Sequence, residues 1–186
     1  MEGQTIFIWV GIDVDEQFSQ LKQRALTVEK EVGITRSALT IPLHISLKIS
    51  FEIPLSIYEN VVADIIAIYQ ETPPFSIDVE GLACEDVILW VRMKDCLPLR
   101  VLHDKLNQTM LSKYGVPLHP YDTDYKFHTT LYMENDSEKL KEAYNKLKDM
   151  PIPTTLVASP FLIGSSPNGA FGTYQVRQWI PASSEA

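Results

Sequence analysis

The chain has 186 residues, ordinary apolar content and a formal net charge of −8. That length fits one domain that buries roughly 70% of its unfolded surface without staples. The acidic balance and the absence of a long basic run exclude an extended nucleic-acid surface, but allow a small nucleotide or one RNA terminus in a local pocket.

Residues 5–12 are rich in β-branched and aromatic side chains and predict a strand. Residues 15–32 follow with helical spacing of Phe18, Leu21, Ala25, Leu26, Val28 and Val32, and Gly33 is a natural stop. Residues 43–51 predict a strand, and a helix follows to about Tyr69 with Ser56 as N-cap and Pro73-Pro74 beyond its end. Residues 75–82 and 87–93 predict two strands. Residues 98–114 form a helix with Leu99, Leu102, Leu106, Met110 and Tyr114 on its buried face and Gly115 as its C′ residue. After a Pro-containing loop, 125–133 predict a strand, Asp136 or Ser137 caps a helix to about Lys148, and 154–164 with 172–180 form a closing hairpin. Residues 182–186 are expected to fray.

The order strand, helix, strand, helix, strand describes residues 5–82 and again 87–163, with Trp9 and Trp90 in matching places. Such a repeat predicts a single bilobal domain, its lobes related by a pseudo-twofold axis with a cleft between them. The third element of each repeat is a strand that carries the same short pattern: His44-Ile45-Ser46-Leu47 and His128-Thr129-Thr130-Leu131. Strict alternation puts His44, Ser46 and Lys48 on one face, and His128, Thr130 and Tyr132 on one face of the other strand. Two imidazoles and two hydroxyls converging on one point suit acid–base chemistry on a phosphate. One histidine takes a proton from the attacking oxygen, the other gives one to the leaving oxygen, and Ser46 and Thr130 bind the non-bridging oxygens. Lys48 adds positive charge on the His44 face.

These residues resemble the 2H phosphoesterases, and among them the bacterial and archaeal 2′-5′ RNA ligase-like (LigT-like) cyclic phosphodiesterases. His44 to Lys48 is similar to the first motif of that family, and Phe127 to Leu131 to its second. The likeness extends to the opening strand at Ile6-Phe7-Ile8, the strand Ile88-Leu89-Trp90-Val91, and the closing Leu162 to Ser165 with Tyr174. It implies an α+β fold of two pseudo-twofold-related antiparallel lobes with flanking helices. It also implies His44 and His128 as catalytic residues, with Ser46 and Thr130 as phosphate binders. The implied substrates are 2′,3′-cyclic phosphates of RNA ends or nucleotides, opened to a 2′-phosphate. Some members of the family join or cleave 2′-5′ linkages. The chain departs from the pattern at Ser46, where Thr is commoner, and at Tyr132, where many members carry a basic residue at or near that point.

Beside the functional reading stand plainer ones. Trp9 and Trp90 suit core packing better than base stacking, and Phe7, Tyr125 and Tyr132 carry the same two readings, core packing or a base-stacking rim. His103 reads as a surface residue and His119 as a solvated loop residue. The histidines lack a close metal-ligand pair, so no metal or other cofactor is expected. Cys84 and Cys96 read as free thiols of a reducing cytosol. No run approaches the roughly 20 apolar residues of a membrane span, and 6–12 lacks the marks of a signal peptide. A cytoplasmic monomer with no membrane partner is the expectation. Two other functions remain open: a 2′-5′ RNA ligase or 2′-5′ phosphodiesterase, and a non-catalytic nucleotide-binding module of the same fold.

Overall fold

The structure, a computed structural model, describes residues 3–182. The expected fraying of the last residues therefore lies, beyond Ala182, outside the described part. The elements in chain order are β1 (Thr5–Asp13), α1 (Ser19–Val32), β2 (His44–Pro54), α2 (Tyr58–Gln70), β3 (Ser76–Glu85), β4 (Ile88–Met93), α3 (Leu97–Tyr114), β5 (His128–Met133), α4 (Ser137–Leu147), β6 (Thr155–Val157), β7 (Phe161–Ser166) and β8 (Gln175–Ile180). Two four-stranded antiparallel sheets result, in the orders β2-β1-β7-β8 and β5-β4-β3-β6. This is the two-lobed α+β architecture expected from the sequence.

The lobes do not follow the sequence halves. β3, at the end of the first half, turns through Asp86 and Val87 and pairs with β4 of the second. β7, at the end of the second half, pairs with β1 of the first. The expected strand over 154–164 is two strands in different sheets, because Pro160 has no N–H with which to continue a ladder. β6 closes the second sheet against β3, and the closing hairpin is β7–β8 alone.

The helices carry one buried stripe each. Leu21, Ala25 and Val28 of α1 pack toward α4, which buries Leu140, Ala143 and Leu147. α2 packs beside α3. Local chemistry sets most boundaries. Gly33 and Gly115 take left-handed φ values of 74° and 67° and end α1 and α3. Asp136 Oδ1 accepts from the N–H groups of Glu138 and Lys139 at 3.0 and 3.3 Å and starts α4. Ser56 does not cap α2: it sits inside a 3₁₀ turn over 55–57, and α2 begins at Tyr58 without a side-chain cap.

Candidate active site

β2 and β5 are the edge strands of their sheets, and they face each other. The two His motifs thus meet across the groove between the lobes, and His44 and Thr130 line one cavity of about 160 Å³. Each histidine is oriented in the same way. Nδ1 of His44 lies 2.8 Å from the carbonyl of Pro42, and Nδ1 of His128 lies 2.6 Å from that of Lys126. A carbonyl only accepts, so Nδ1 carries the proton and Nε2 of the neutral ring is left as the basic nitrogen.

Each imidazole also rests on a tryptophan from the adjacent strand. The Trp9 and His44 rings are 4.4 Å apart, and the Trp90 and His128 rings 4.5 Å. Both indoles are buried, which settles them as packing supports for the imidazoles. Trp9 lies over Gly164 of β7, where a Cβ would come within 2.0 Å of the indole nitrogen. Trp90 faces Ala83 of β3.

Burial holds both imidazoles below the ordinary histidine range. His44 is pushed down to about 4, chiefly by desolvation, with the Pro42 carbonyl opposing and His128 adding to the shift. His128 is lowered for the same first reason. The neighbours across the ladder differ: Asp13 stands opposite His44, and Arg92 opposite His128. The Arg92 guanidinium is committed to Glu85 and Glu80 at 2.9 and 2.8 Å.

Two expected site residues are elsewhere. In β2, Val10 pairs with Lys48 while Gly11 pairs with Ser46, so Leu47 is an extra residue. In β5, Leu89 pairs with Tyr132 while Trp90 pairs with Thr130, so Leu131 is extra. Each is a β-bulge, which breaks the alternation that strict pleating predicts. Lys48 and Tyr132 consequently turn into the interior, at 2% and 0% exposure. Lys48 Nζ donates to Asn107 Oδ1 at 2.7 Å and pairs with Asp122 at 3.0 Å, so it is not a phosphate ligand of the cleft. Tyr132 donates from its phenol to the Ala25 carbonyl at 2.6 Å, so it is not a stacking surface.

Ser46 and Thr130 remain half-buried on the histidine faces. Burial pushes the phenol of Tyr125 well above its ordinary range and keeps it protonated. Tyr125 is itself buried against His103, Phe127 and His128, so it supports the cleft wall rather than its rim. Phe7 is half-buried beneath the β7–β8 loop, where its ring crowds Gly169. His103 is buried, not exposed, with Nδ1 3.0 Å from Asp104 and Nε2 3.1 Å from the Asn107 amide. His119 is an exposed turn residue that accepts from the Tyr121 N–H at 3.2 Å.

The cavity also has walls that periodicity did not predict. Tyr174 lines it, bonded to Ser50 at 2.7 Å, with its ring edge-on to Trp9. Phe171 and Ser37 line it as well. All three stand in or beside loops, where no pattern marks a face. Cys84 and Cys96 are free. Among the described residues, no three His, Cys, Asp or Glu side chains are grouped to hold a metal ion, and no helix is long and apolar enough to cross a membrane.

Two edge strands presenting paired H-x-[ST] faces across a groove, in this two-lobed fold, define the 2H phosphoesterase class. The family model described as the 2′-5′ RNA ligase superfamily matches residues 31–161, and the chain belongs to that family. Solved structures agree on the fold. E. coli LigT in apo form is similar at a TM-score of 0.64 with 15% identity, over 98% of this chain and all of that one. TT0787 of Thermus thermophilus gives 0.62 and 15% over the same shares. E. coli LigT complexed with 3′-AMP gives 0.62 and 13%, again over 98% of this chain and all of that one. No curated protein sequence matches the chain.

Proposed function

We propose that the protein is a 2′,3′-cyclic phosphodiesterase that opens the cyclic phosphate of a nucleotide or RNA end to a 2′-phosphate. The observation that carries this reading is the matched pair of imidazoles, each with Nδ1 tied to a carbonyl and Nε2 without a partner among the described residues, on strands that face each other. Membership of the family and the likeness to LigT, a structure of which holds 3′-AMP, support it.

In the proposed step, water attacks phosphorus and loses a proton to Nε2 of His44. The P–O3′ bond breaks, and O3′ takes its proton from Nε2 of His128 as the pair of electrons leaves with it. The product keeps the phosphate on O2′. Ser46 and Thr130 donate to the non-bridging oxygens, where negative charge grows. His44 is assigned the base because its pKa, about 4, keeps it neutral at physiological pH. The roles reverse for the reverse reaction, which for a 2′-5′ linkage is ligation.

The sign of the pH dependence follows from the two shifts. The base must be neutral, which holds above about pH 4 for His44. The acid must be protonated, which fails as pH rises through the lowered pKa of His128. The kcat/KM profile is therefore expected to be a bell with its alkaline limb below the ordinary histidine value of about 6.5. The test is a product assay with 2′,3′-cyclic AMP, a short RNA with a cyclic phosphate end and a 2′-5′-linked dinucleotide, each with EDTA present, across pH 4 to 9. A 2′-phosphate product and a bell support the reading. Product with a flat profile removes the two-histidine mechanism. No product from any of them, with nucleotide still bound, makes the protein a binding module.

A further inference from the structure

Most cations of this acidic chain are already engaged. Arg24, Lys48, Arg92 and Arg100 pair with carboxylates, and Arg177 donates to Ser165 Oγ at 2.8 Å. Arg36 differs from the other four arginines. Among the described residues its guanidinium has no hydrogen-bond or ion-pair partner, and only the ring of Phe171 holds it, 5.3 Å from Cζ to the ring centre.

The place of Arg36 gives that free charge a meaning. The Met133 N–H donates to the Arg36 carbonyl at 2.9 Å, the Ala38 N–H donates to the Leu131 carbonyl at 2.9 Å, and Ser37 forms a β-bridge with Tyr132. Residues 36–38 are thus stitched along the end of β5, beside the second His motif. There the bulge at Leu131 sends Tyr132 into the core and leaves apolar Met133 on the cavity wall. β5 itself brings no positive charge to the cleft after Thr130. Phe171 reaches the same cavity from the β7–β8 loop of the other sheet. The stacked guanidinium therefore bridges the two lobes at the edge of the cavity that His44 and Thr130 line.

We propose that Arg36, held on Phe171, is the residue that binds the phosphoryl oxygens of substrate and of the 2′-phosphate product. This rests on the phosphodiesterase reading above and adds to it a cation contributed from outside both motifs. An arginine suits the role. Its planar fork binds two phosphate oxygens at once, it stays charged at every relevant pH, and it keeps a ring contact that leaves its N–H groups free in the plane.

The test compares Arg36→Gln, Arg36→Lys and Phe171→Leu with the native protein. The readouts are titration with adenosine 2′-phosphate and steady-state turnover of 2′,3′-cyclic AMP. Arg36→Gln is expected to weaken adenosine 2′-phosphate by about 10- to 100-fold, the worth of hydrogen bonds to a charged group. KM should rise with it, and kcat should fall as well, because the negative charge on those oxygens grows in the transition state. Arg36→Lys should recover part of the loss, and Phe171→Leu should cost about two- to fivefold because it removes the platform but keeps the charge. If the native protein turns over 2′,3′-cyclic AMP and Arg36→Gln binds adenosine 2′-phosphate within about twofold of it, the assignment of Arg36 is wrong and the phosphodiesterase stands. A fall in kcat with product affinity unchanged also overturns it, in favour of a structural role. A native protein that neither binds the product nor turns over the substrate removes both.

Discussion

The two lobes hold their imidazoles alike and differ in what surrounds them. Each has the carbonyl two residues before the histidine, the tryptophan under the ring, and a leucine bulge after the hydroxyl residue. Around this shared frame, the first lobe has Asp13 across from its histidine, a glycine under its tryptophan and a buried lysine behind its bulge. The second has Arg92, Ala83 and a buried tyrosine in those places. What aims Nε2 is common to both halves, whereas what sets charge and packing is particular to each. The pair can therefore be symmetric in geometry and unequal in proton affinity.

The sharpest way to break the comparison is to remove the imidazoles. His44→Ala and His128→Ala are each expected to lower turnover by at least about 10²-fold with little change in folding, as measured by product formation beside thermal melting. Losses below about tenfold in both would end the catalytic assignment. A phosphodiester with a p-nitrophenolate leaving group sharpens it further, since that group departs without a proton. His128→Ala should regain much of its activity on such a substrate and His44→Ala should not; rescue of His44→Ala alone would exchange the roles.

The bulges give a second contrast, read by denaturant unfolding. Lys48→Met strands the Asp122 carboxylate in the interior, at an expected cost of about 3–5 kcal/mol. Tyr132→Phe removes one buried hydrogen bond, for about 1 kcal/mol. Between these in size stands Gly164→Ala, whose methyl would meet Trp9. It should cost about 1–3 kcal/mol and displace the support of His44, so turnover falls too. Its mirror, Ala83→Gly under Trp90, should cost no more than about 1 kcal/mol and leave turnover near native.

The sequence made the frame of this molecule readable because periodicity and repetition are local. The buried face of α3 from Leu99 to Met110, the glycines ending α1 and α3, and the cleft-facing histidines with Ser46 and Thr130 all stand where spacing put them. Alternation failed at one step in each motif strand, because an inserted residue is invisible unless the partner strand is known. That single cause moved both Lys48 and Tyr132 from cleft to core. His103 was misplaced for a related reason: its buried partner Asn107 lies one turn on in α3, but Tyr125, Phe127 and Asp122, which enclose it, come from the loop beyond. The walls made by Phe171, Tyr174 and the 36–38 segment come from loops whose positions depend on the whole fold.

The exchange of strands between the sequence halves has a consequence for how the protein comes into being. The sheet that carries His44 is half made of β7 and β8, from the last part of the chain, so Trp9 has no floor until Gly164 has been synthesised. Such pairing joins residues more than 150 positions apart at Phe7 and Ser166, and distant pairing folds slowly because a long loop must close first. On a ribosome the His128 sheet can assemble while the His44 sheet waits as two strands with an open edge. The floor beneath Trp9, and with it the support of His44, therefore depends on a strand made long after both histidines.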